Sequence, residues 1–448
     1  MRKRSFLCVA LTTVFLFCLT ACSGSVQNVD TAKVSESAQP ETAKDSGSDE
    51  YIVLKLYTHY DSGDTNKRVE YCTEKVQEKY PNVSFEIDPY QQDGGQSIKA
   101  RAATGDLPDI LFLNDGSILP LAKSGSILTL DDYIEKNDYT SGLSQSAIDN
   151  CLYSSDGHIY QFPVNGVQPY LWYYNKDLFD QYNVKVPENF DELLTAIQTF
   201  RDNDIIPMAL FAKEPWVSGT FFDAFAMKEA PGGLKALSEG TAKASDEGYK
   251  KAIHKMKQAI DAGIFQQGVT NADFDTAFAL FSSGKAAMFQ NGGWCITDIN
   301  KQMDDNVDYF DSYPTNDADY TDNNGCFAGG GNAEGYGVAA NTADPELAMD
   351  VAALFAKAQA EYDYVKNGLV NAPFNTENLI PEVELPDMSK KMGKQLSEMK
   401  FTSKNVEMIS NREFGTAFPE ELQKFIVGES EEDFIKAVDA LVEKAGGQ

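Results

Sequence analysis

Trp294 stands at a position where an aromatic ring could stack against a ligand. Apolar residues recur at helical spacing over residues 274–283, and the apolar run 286–290 is long enough for one buried strand. Asn291 and two glycines then form a turn, and an apolar helical pattern resumes at Ile296. Trp294 is therefore predicted to lie just past the carboxyl end of a strand, where open α/β sheets bind their ligands. A place in the core is the alternative for an aromatic residue of this size.

No motif in the sequence predicts catalysis or a bound cofactor. There is no Gly-x-Ser-x-Gly and no His-Glu-x-x-His, and the histidines His59, His158 and His254 form no cluster in the sequence. The acidic stretch 317–325 resembles a calcium-binding loop but lacks the bidentate Glu at its last position. We therefore expect neither a metal ion nor a cofactor.

The elements that would position Trp294 alternate between strand and helix. Near the start of the globular part the pattern predicts strands at residues 51–57, 83–87 and 109–113, with helices at 66–79 and 97–104. Such alternation predicts an α/β fold with mainly parallel sheets and helices on both faces. The composition is globular from residue 51 onward, and this length is too great for one core, so two lobes are expected.

The N-terminal segment predicts export. Arg2, Lys3 and Arg4 precede the apolar residues 6–19, which are too few to span a bilayer comfortably. The stretch ends in Leu-Thr-Ala-Cys22, which resembles the lipobox of bacterial lipoproteins. We therefore predict a signal peptide over residues 1–21, a lipid (palmitate) on Cys22, and an extracytoplasmic protein anchored to the bacterial cell membrane by that lipid. An ordinary secretory signal with a chance cysteine is the alternative.

The remaining composition limits the possible partners. Residues 22–50 are rich in Ser, Ala, Thr and acidic side chains and predict a flexible linker. The formal net charge of −30 argues against binding nucleic acid or acidic lipid. Four cysteines outside the signal and lipid site are widely spaced, and whether they form disulfides stays open: Cys72, Cys151, Cys295 and Cys326. We expect a monomer.

Six segments in order resemble one family. They are Tyr80-Pro-Asn-Val, Gly105-Asp-Leu-Pro-Asp-Ile, Asp156-Gly-His-Ile-Tyr-Gln-Phe-Pro, Leu171-Trp-Tyr-Tyr-Asn-Lys-Asp-Leu-Phe, Val186-Pro-Glu-Asn-Phe-Asp-Glu-Leu-Leu, and residues 281–294. Together they resemble the family 1 extracellular solute-binding proteins of ABC sugar importers, the maltose-binding-protein-like type. Asn189 and Phe190 depart from the usual Thr and Trp of the family.

The resemblance implies a two-lobe, periplasmic-binding-protein-like fold with the ligand in the cleft between the lobes. We place the N-terminal lobe at residues 51–165 with 325–370, and the C-terminal lobe at residues 166–324 with 371–448. Chain crossovers are expected near 163–167, 315–325 and 370–374. The implied function is to capture a carbohydrate, in particular an oligosaccharide, and to deliver it to the permease subunits of the importer in the membrane.

A sugar site needs aromatic rings for C–H faces and polar side chains for hydroxyl groups. Trp294, Trp216 and Glu214 match family positions by resemblance, as do Gln168 and the pair Asn114 and Asp115. The full set of candidates also includes residues at strand ends and in loops: Tyr170, His59, Tyr60, Gly330 and Asn332. Asp115 could instead cap the following helix, and Tyr170 could be a core residue.

Two other functions compete with carbohydrate capture. An exported glycoside hydrolase would need two carboxylates a few ångströms apart, and the clearest candidates are Asp115 and Glu214. A binding protein for another solute, such as a peptide, would replace the aromatic residues with charged clamps. The two tryptophans argue against that reading, and we expect binding without enzymatic activity.

Overall fold

A computed structural model describes residues 51–61, 63–91, 93, 95–318, 326–399, 401–409 and 411–445. The predicted signal peptide, Cys22 and the predicted linker all lie outside the described residues. So does most of the acidic stretch 317–325, although Asp317 itself is described. No helix of the described ranges is long and apolar enough to cross a membrane.

The strands form two mixed sheets and one short ribbon. In chain order they are β1 (Ile52–Thr58), β2 (Val83–Pro89), β3 (Ile110–Asn114), β4 (Phe162–Pro163), β5 (Tyr170–Asn175), β6 (Ile206–Ala209), β7 (Ala286–Gly292), β8 (Val307–Tyr309), β9 (Cys326–Phe327), β10 (Glu334–Val338) and β11 (Phe401–Thr402). The first sheet has the order β2-β1-β3-β10-β4, and the second has the order β6-β7-β5-β8.

Helices cover the faces of both sheets. In chain order they are α1 (Gly63–Lys79), α2 (Gln96–Thr104), α3 (Asp115–Lys123), α4 (Asp131–Lys136), α5 (Gln145–Ala147), α6 (Lys176–Gln181), α7 (Phe190–Asp202), α8 (Pro215–Glu229), α9 (Gly233–Ser238), α10 (Glu247–Asp261), α11 (Phe274–Ser282), α12 (Ile296–Met303), α13 (Pro345–Asn367), α14 (Asp387–Glu398), α15 (Arg412–Ile426) and α16 (Glu431–Ala445). Helix α13 packs on α1 and β10, whereas α8 packs on α10 and α15. The expected two-lobe α/β fold is thus confirmed.

The strand pairing is mixed rather than mainly parallel. Strand β1 is parallel to β2 and β3, but β10 runs antiparallel to β3 and β4. In the second sheet β6 and β7 are parallel, whereas β5 is antiparallel to both β7 and β8. Strands β5 and β10 each enter their sheet directly after the chain has left the other sheet. No right-handed crossover connects either strand to the preceding strand of its own sheet, so neither strand has to run parallel to its neighbours.

The chain passes between the two sheets more than once. Strand β4 belongs to the first sheet and β5 to the second, so one passage lies between Pro163 and Tyr170. Strand β8 belongs to the second sheet and β10 to the first, so another lies between Tyr309 and Glu334. We keep residues 51–165 with 325–370 and 166–324 with 371–448 as the proposed lobes.

A short ribbon joins two distant segments beside these passages. Strand β9 pairs in parallel with β11, and Gly330 bridges to Lys404. The backbone N–H of Gly331 also donates to the carbonyl of Ser403 at 3.1 Å. We call residues 326–333 and 401–405 together the strap.

Candidate functional site

Two adjoining cavities lie between the two sheets and form one cleft. Their volumes are about 590 and 600 Å³, within the range of small-molecule sites. We name them after one residue each: the Trp294 compartment and the Arg412 compartment. Six residues line both compartments and so mark where they meet: His59, Phe112, Trp216, Glu334, Glu407 and Met408. Since His59 follows β1 and Trp216 lies on α8, both lobes contribute walls.

Trp294 follows the end of β7, as predicted from the sequence. The strand ends at Gly292, a short 3₁₀ turn carries Trp294, and α12 follows. The indole is half-buried and lies back across the strand end. A Cβ atom at Gly292 would come within 2.0 Å of the Trp294 ring, so only glycine permits this close approach. The glycine in the turn thus sets the direction of the ring.

Three aromatic rings form one wall of the Trp294 compartment. The ring centroid of Tyr170 lies 5.1 Å from that of Trp294, edge to face, and 5.2 Å from that of Trp216. The centroids of Trp216 and Trp294 are 6.1 Å apart. Tyr170 is almost fully buried, and its hydroxyl accepts a hydrogen bond from Asn405 Nδ2 at 2.8 Å. Tyr170 therefore supports the two half-buried tryptophans from behind.

The position of Trp216 follows from the start of a helix. Glu214 is the N-cap residue of α8 and Pro215 occupies its first turn, where the fixed φ of proline suits a helix. Trp216 is then one residue into the helix and lines both compartments. Glu214 lines the Arg412 compartment only.

The first lobe presents a histidine that is neutral at pH 7. The ring of His59 packs on Tyr90 and Phe112, with centroid distances of 4.4 and 4.8 Å. Burial lowers the pKa of His59 to about 4, and the positive charge of Arg68 acts in the same direction. A neutral imidazole offers one donor and one acceptor to the cleft.

An ion pair lines the Trp294 compartment beside His59. Arg68 on α1 and Asp363 on α13 lie 3.4 Å apart, and both side chains are largely buried. Burial raises the pKa of the Asp363 carboxyl, while the Arg68 guanidinium opposes this shift. The pair joins the helices that flank the first sheet on this side.

Carboxylates stand where the two compartments meet. Asn165 Nδ2 donates to Glu334 Oε2 at 3.0 Å, and burial raises the pKa of Glu334. Burial also raises the pKa of Glu407, and the neighbouring carboxylate of Glu214 adds to this shift. The structure gives Glu214, Glu334 and Glu407 no ion-pair partner among the described residues.

Amide side chains complete the lining of the Trp294 compartment. Asn332 Nδ2 donates to the Gly329 carbonyl at 2.7 Å, and its Oδ1 accepts from the backbone N–H of Asn405 at 3.1 Å. Gln168 lines the same compartment. Asn371 is only 7% exposed, and its Nδ2 has no hydrogen-bond partner among the described residues.

Asp115, Tyr60 and Gly330 are predicted contacts that do not line either compartment. Asp115 is buried, and its Oδ2 accepts from Lys404 Nζ at 2.6 Å and from the Ala333 N–H at 2.7 Å. It is a structural ion-pair partner that ties α3 to the strap. Tyr60 packs against the core of the first lobe, and the N–H and carbonyl of Gly330 are both bonded within or beside the strap.

Asn114, rather than Asp115, caps the helix that follows β3. Its Oδ1 accepts from the Ser117 N–H at 3.2 Å, and Ser117 Oγ accepts from the Asn114 N–H in return. Asn114 also lines the Arg412 compartment. Six more of the predicted residues lie in one or both compartments: Trp294, Trp216, Gln168, Tyr170, His59 and Asn332. Glu214, described above, completes the predicted residues of the cleft.

Sequence reasoning missed most of the charged lining. Arg68 and Asp363 are separated by nearly three hundred positions, and in the sequence each resembles an ordinary solvent-exposed charge on an amphipathic helix. Glu407 and Arg412 belong to a segment that carries no family motif. Glu334 could have been found, because it follows the predicted Asn332 by two residues at the start of a strand.

The described ranges contain no group of three or more His, Cys, Asp or Glu side chains placed to hold a metal ion. Cys72 and Cys151 are free and buried, and Cys295 is free and half-buried. The side chain of Cys326 is outside what the structure describes.

A family model decides the classification. The model for bacterial extracellular solute-binding proteins matches residues 64–362, which is more than half of the chain. The chain belongs to this family. The match covers the second sheet, the first sheet without β1, and most of α13, but it ends before Asn405, Glu407 and α15, which line part of the cleft.

Individual relatives agree with the family. An uncharacterized ABC transporter extracellular-binding protein of Pyrococcus horikoshii is 24% identical over 286 residues, covering 61% of this chain and 63% of that protein. The multiple sugar-binding protein of Streptococcus mutans is 25% identical over 227 residues, covering 47% of this chain and 50% of that protein. The matched part of the solute-binding chain therefore spans about half to three-fifths of these relatives.

A solved structure shows the same fold. It comes from a study of xylan utilization by Caldanaerobius polysaccharolyticus, has a TM-score of 0.75 and is 24% identical. The alignment covers 87% of this chain and 99% of that one. This likeness supports the two-lobe fold of the solute-binding protein described here.

Proposed function

We propose that this solute-binding protein captures a carbohydrate, an oligosaccharide, in the cleft and delivers it to the permease of an ABC importer. The observation that carries the proposal is the wall formed by Trp294, Tyr170 and Trp216, faced by carboxylates and amides across the cleft. Aromatic rings suit the C–H faces of sugar rings, and ionised or amide side chains suit hydroxyl groups. Both kinds of surface meet in one cavity.

The extent of the cleft supports an oligosaccharide over a single sugar. Two compartments of about 590 and 600 Å³ adjoin each other and share Trp216 and Glu407. A chain of several sugar rings would occupy both. A relative from Streptococcus mutans is named as a multiple sugar-binding protein, which supports a carbohydrate ligand.

The experiment is a thermal-shift screen of the mature domain against mono- and oligosaccharides. A ligand that binds only the native state raises its stability by an amount that grows with concentration, about 2.7 kcal/mol at a hundred times the Kd. We expect a shift with at least one neutral oligosaccharide and none with simple peptides. A shift with peptides alone would instead favour the binding of another solute.

A glycoside hydrolase is the competing function, and the structure weakens the argument that Asp115 and Glu214 form its pair of carboxylates. Asp115 is paired with Lys404 and lies outside the cleft lining, so it forms no catalytic pair with Glu214. We propose binding without turnover. The best ligand from the screen should be recovered intact after prolonged incubation, and hydrolysis in excess of the protein concentration would favour the enzyme.

We propose that Cys22 carries the lipid that anchors the protein outside the cell membrane. The basis is the Leu-Thr-Ala-Cys sequence after the apolar run. The Cys22→Ser variant should lose membrane association or remain unprocessed when cell fractions are compared. An unchanged membrane fraction would contradict the anchor.

A further inference from the structure

The charged residues of the cleft are mostly acidic. Six carboxylates line the two compartments, against two guanidinium groups and no lysine: Asp61, Glu214, Glu334, Asp363, Glu407 and Glu420, with Arg68 and Arg412. With His59 neutral, the lining carries a formal charge of minus four. A cavity wall of low dielectric strengthens the effect of such charges on a ligand.

One of the two cations of the cleft is neutralised by an ion pair. Arg68 is held by Asp363, so that pair is neutral overall. Arg412 Nη1 donates to the backbone carbonyl of Glu407 and keeps its positive charge, which partly opposes the raised pKa of the Glu407 carboxyl. Glu334, Glu407 and Glu214 therefore face the cavity with hydrogen-bond acceptors and with no guanidinium bound to their carboxylates in the described structure.

We propose that the cleft selects an uncharged oligosaccharide and rejects sugars that carry a carboxylate, phosphate or sulfate group. This inference rests on the proposed carbohydrate function and narrows its substrate class. Hydroxyl groups can donate charge-assisted hydrogen bonds to Glu334, Glu407 and Glu214. An anionic group in the same place would be desolvated beside like charges, which is strongly unfavourable.

A second observation shows that the cavity is built to receive polar groups. Asn371 is nine-tenths buried, lines the Trp294 compartment, and leaves its Nδ2 donor without a partner among the described residues. A buried donor without an acceptor is unfavourable, so a ligand oxygen there would relieve it. A hydroxyl or ring oxygen serves this purpose without adding charge.

The test compares neutral oligosaccharides with matched acidic derivatives. Maltotetraose, stachyose and tetra-N-acetylchitotetraose are each measured by calorimetry beside a derivative in which one hydroxymethyl group is oxidised to a carboxylate. For any parent that binds, we expect the acidic derivative to bind about tenfold more weakly or worse at low salt. The difference should shrink at high ionic strength, because salt screens the repulsion.

Variants identify the carboxylates responsible. Glu334→Gln and Glu407→Gln each remove one charge with little change of shape, and each should reduce the discrimination by roughly threefold. Glu70→Gln is the matched control, because Glu70 is exposed on α1 and does not line the cleft. Thermal melting without ligand shows that each variant is folded, because either Gln variant also loses a charge-assisted hydrogen bond to the neutral parent.

The possible outcomes separate the inference from the function on which it rests. Equal or tighter binding of the acidic derivatives would overturn charge selection while leaving carbohydrate capture intact. Discrimination unchanged in both Glu334→Gln and Glu407→Gln would also overturn the role of these carboxylates. Binding of no oligosaccharide, neutral or acidic, would overturn the carbohydrate function itself.

Discussion

Replacing Trp294 with alanine tests the aromatic wall most directly. A sugar face stacked on the exposed side of the indole would remove on the order of 60–100 Å² of apolar area from water, worth roughly 1.5–2.5 kcal/mol. The Trp294→Ala variant should then bind the best ligand of the screen about 10- to 70-fold more weakly. Isothermal calorimetry measures this change.

The stability of the same variant separates a ligand contact from a core residue. Truncating a fully buried tryptophan costs roughly 3–5 kcal/mol of unfolding free energy. Trp294 is half-buried and packs on Tyr170 and Trp216, so the loss should be smaller, about 1–2 kcal/mol. Urea unfolding without ligand measures it.

Trp172 provides the matched control, because it lies on the same sheet but in the core. It is 1% exposed, stacks on Phe221, and donates through Nε1 to Gln290 at 2.8 Å. Trp172→Phe leaves Gln290 Oε1 without its donor and should cost about 1–3 kcal/mol of stability, with affinity unchanged. If Trp294→Ala lost stability like a core residue and kept its affinity, the ligand role assigned to Trp294 would be refuted.

Three further results are expected. Lys404→Met should lower the unfolding free energy by about 3 kcal/mol, since it leaves the buried Asp115 carboxylate unpaired. Adding Asp115→Asn should restore part of the lost stability in urea unfolding, and a single variant as stable as wild type would contradict the ion pair. The folded pKa of His59, about 4, lies below its ordinary 6.5, so the unfolded chain binds the proton more readily between these values. Wild type should therefore lose stability relative to His59→Gln as the pH falls from 6.5 towards 4, by roughly 2–3 kcal/mol at the lower end; a constant difference would show that the imidazole is not protected from protonation. X-ray scattering should give a smaller radius of gyration when a saturating ligand is added, because closure brings the lobes together, and identical curves would argue against a hinged receptor.

Local patterns were enough to predict the elements and the place of Trp294. Helical periodicity before Gly284, an apolar run, and a glycine turn correctly predict α11, β7 and the aromatic residue beyond them. Each signal lies within a few residues of its effect. The family motifs then supply the two-lobe arrangement, which no local pattern contains.

Pairing between distant segments could not be read in the same way. Asp115 looked like a ligand contact, yet it binds Lys404, which is 289 positions away. Strand β10 is antiparallel to β3 because the chain returns to the first sheet from the other lobe. The apolar pattern of a strand is the same in either direction, so the sequence did not indicate this pairing. Arg68 and Asp363 become part of the cleft only when α1 and α13 pack together.

The strap both joins two distant segments of the chain and shapes the cleft. Asn405 lines the Trp294 compartment, while its side chain holds Tyr170 and its N–H holds Asn332. The strap lies beside the chain passages between the two sheets, so in a receptor that closes by a hinge the bonds that shape the pocket would also lie near that hinge. Residence time and selectivity would change together on substitution here. Evolution of a new ligand preference would therefore be less constrained at Trp216 or Glu407, which shape the cleft without belonging to the strap.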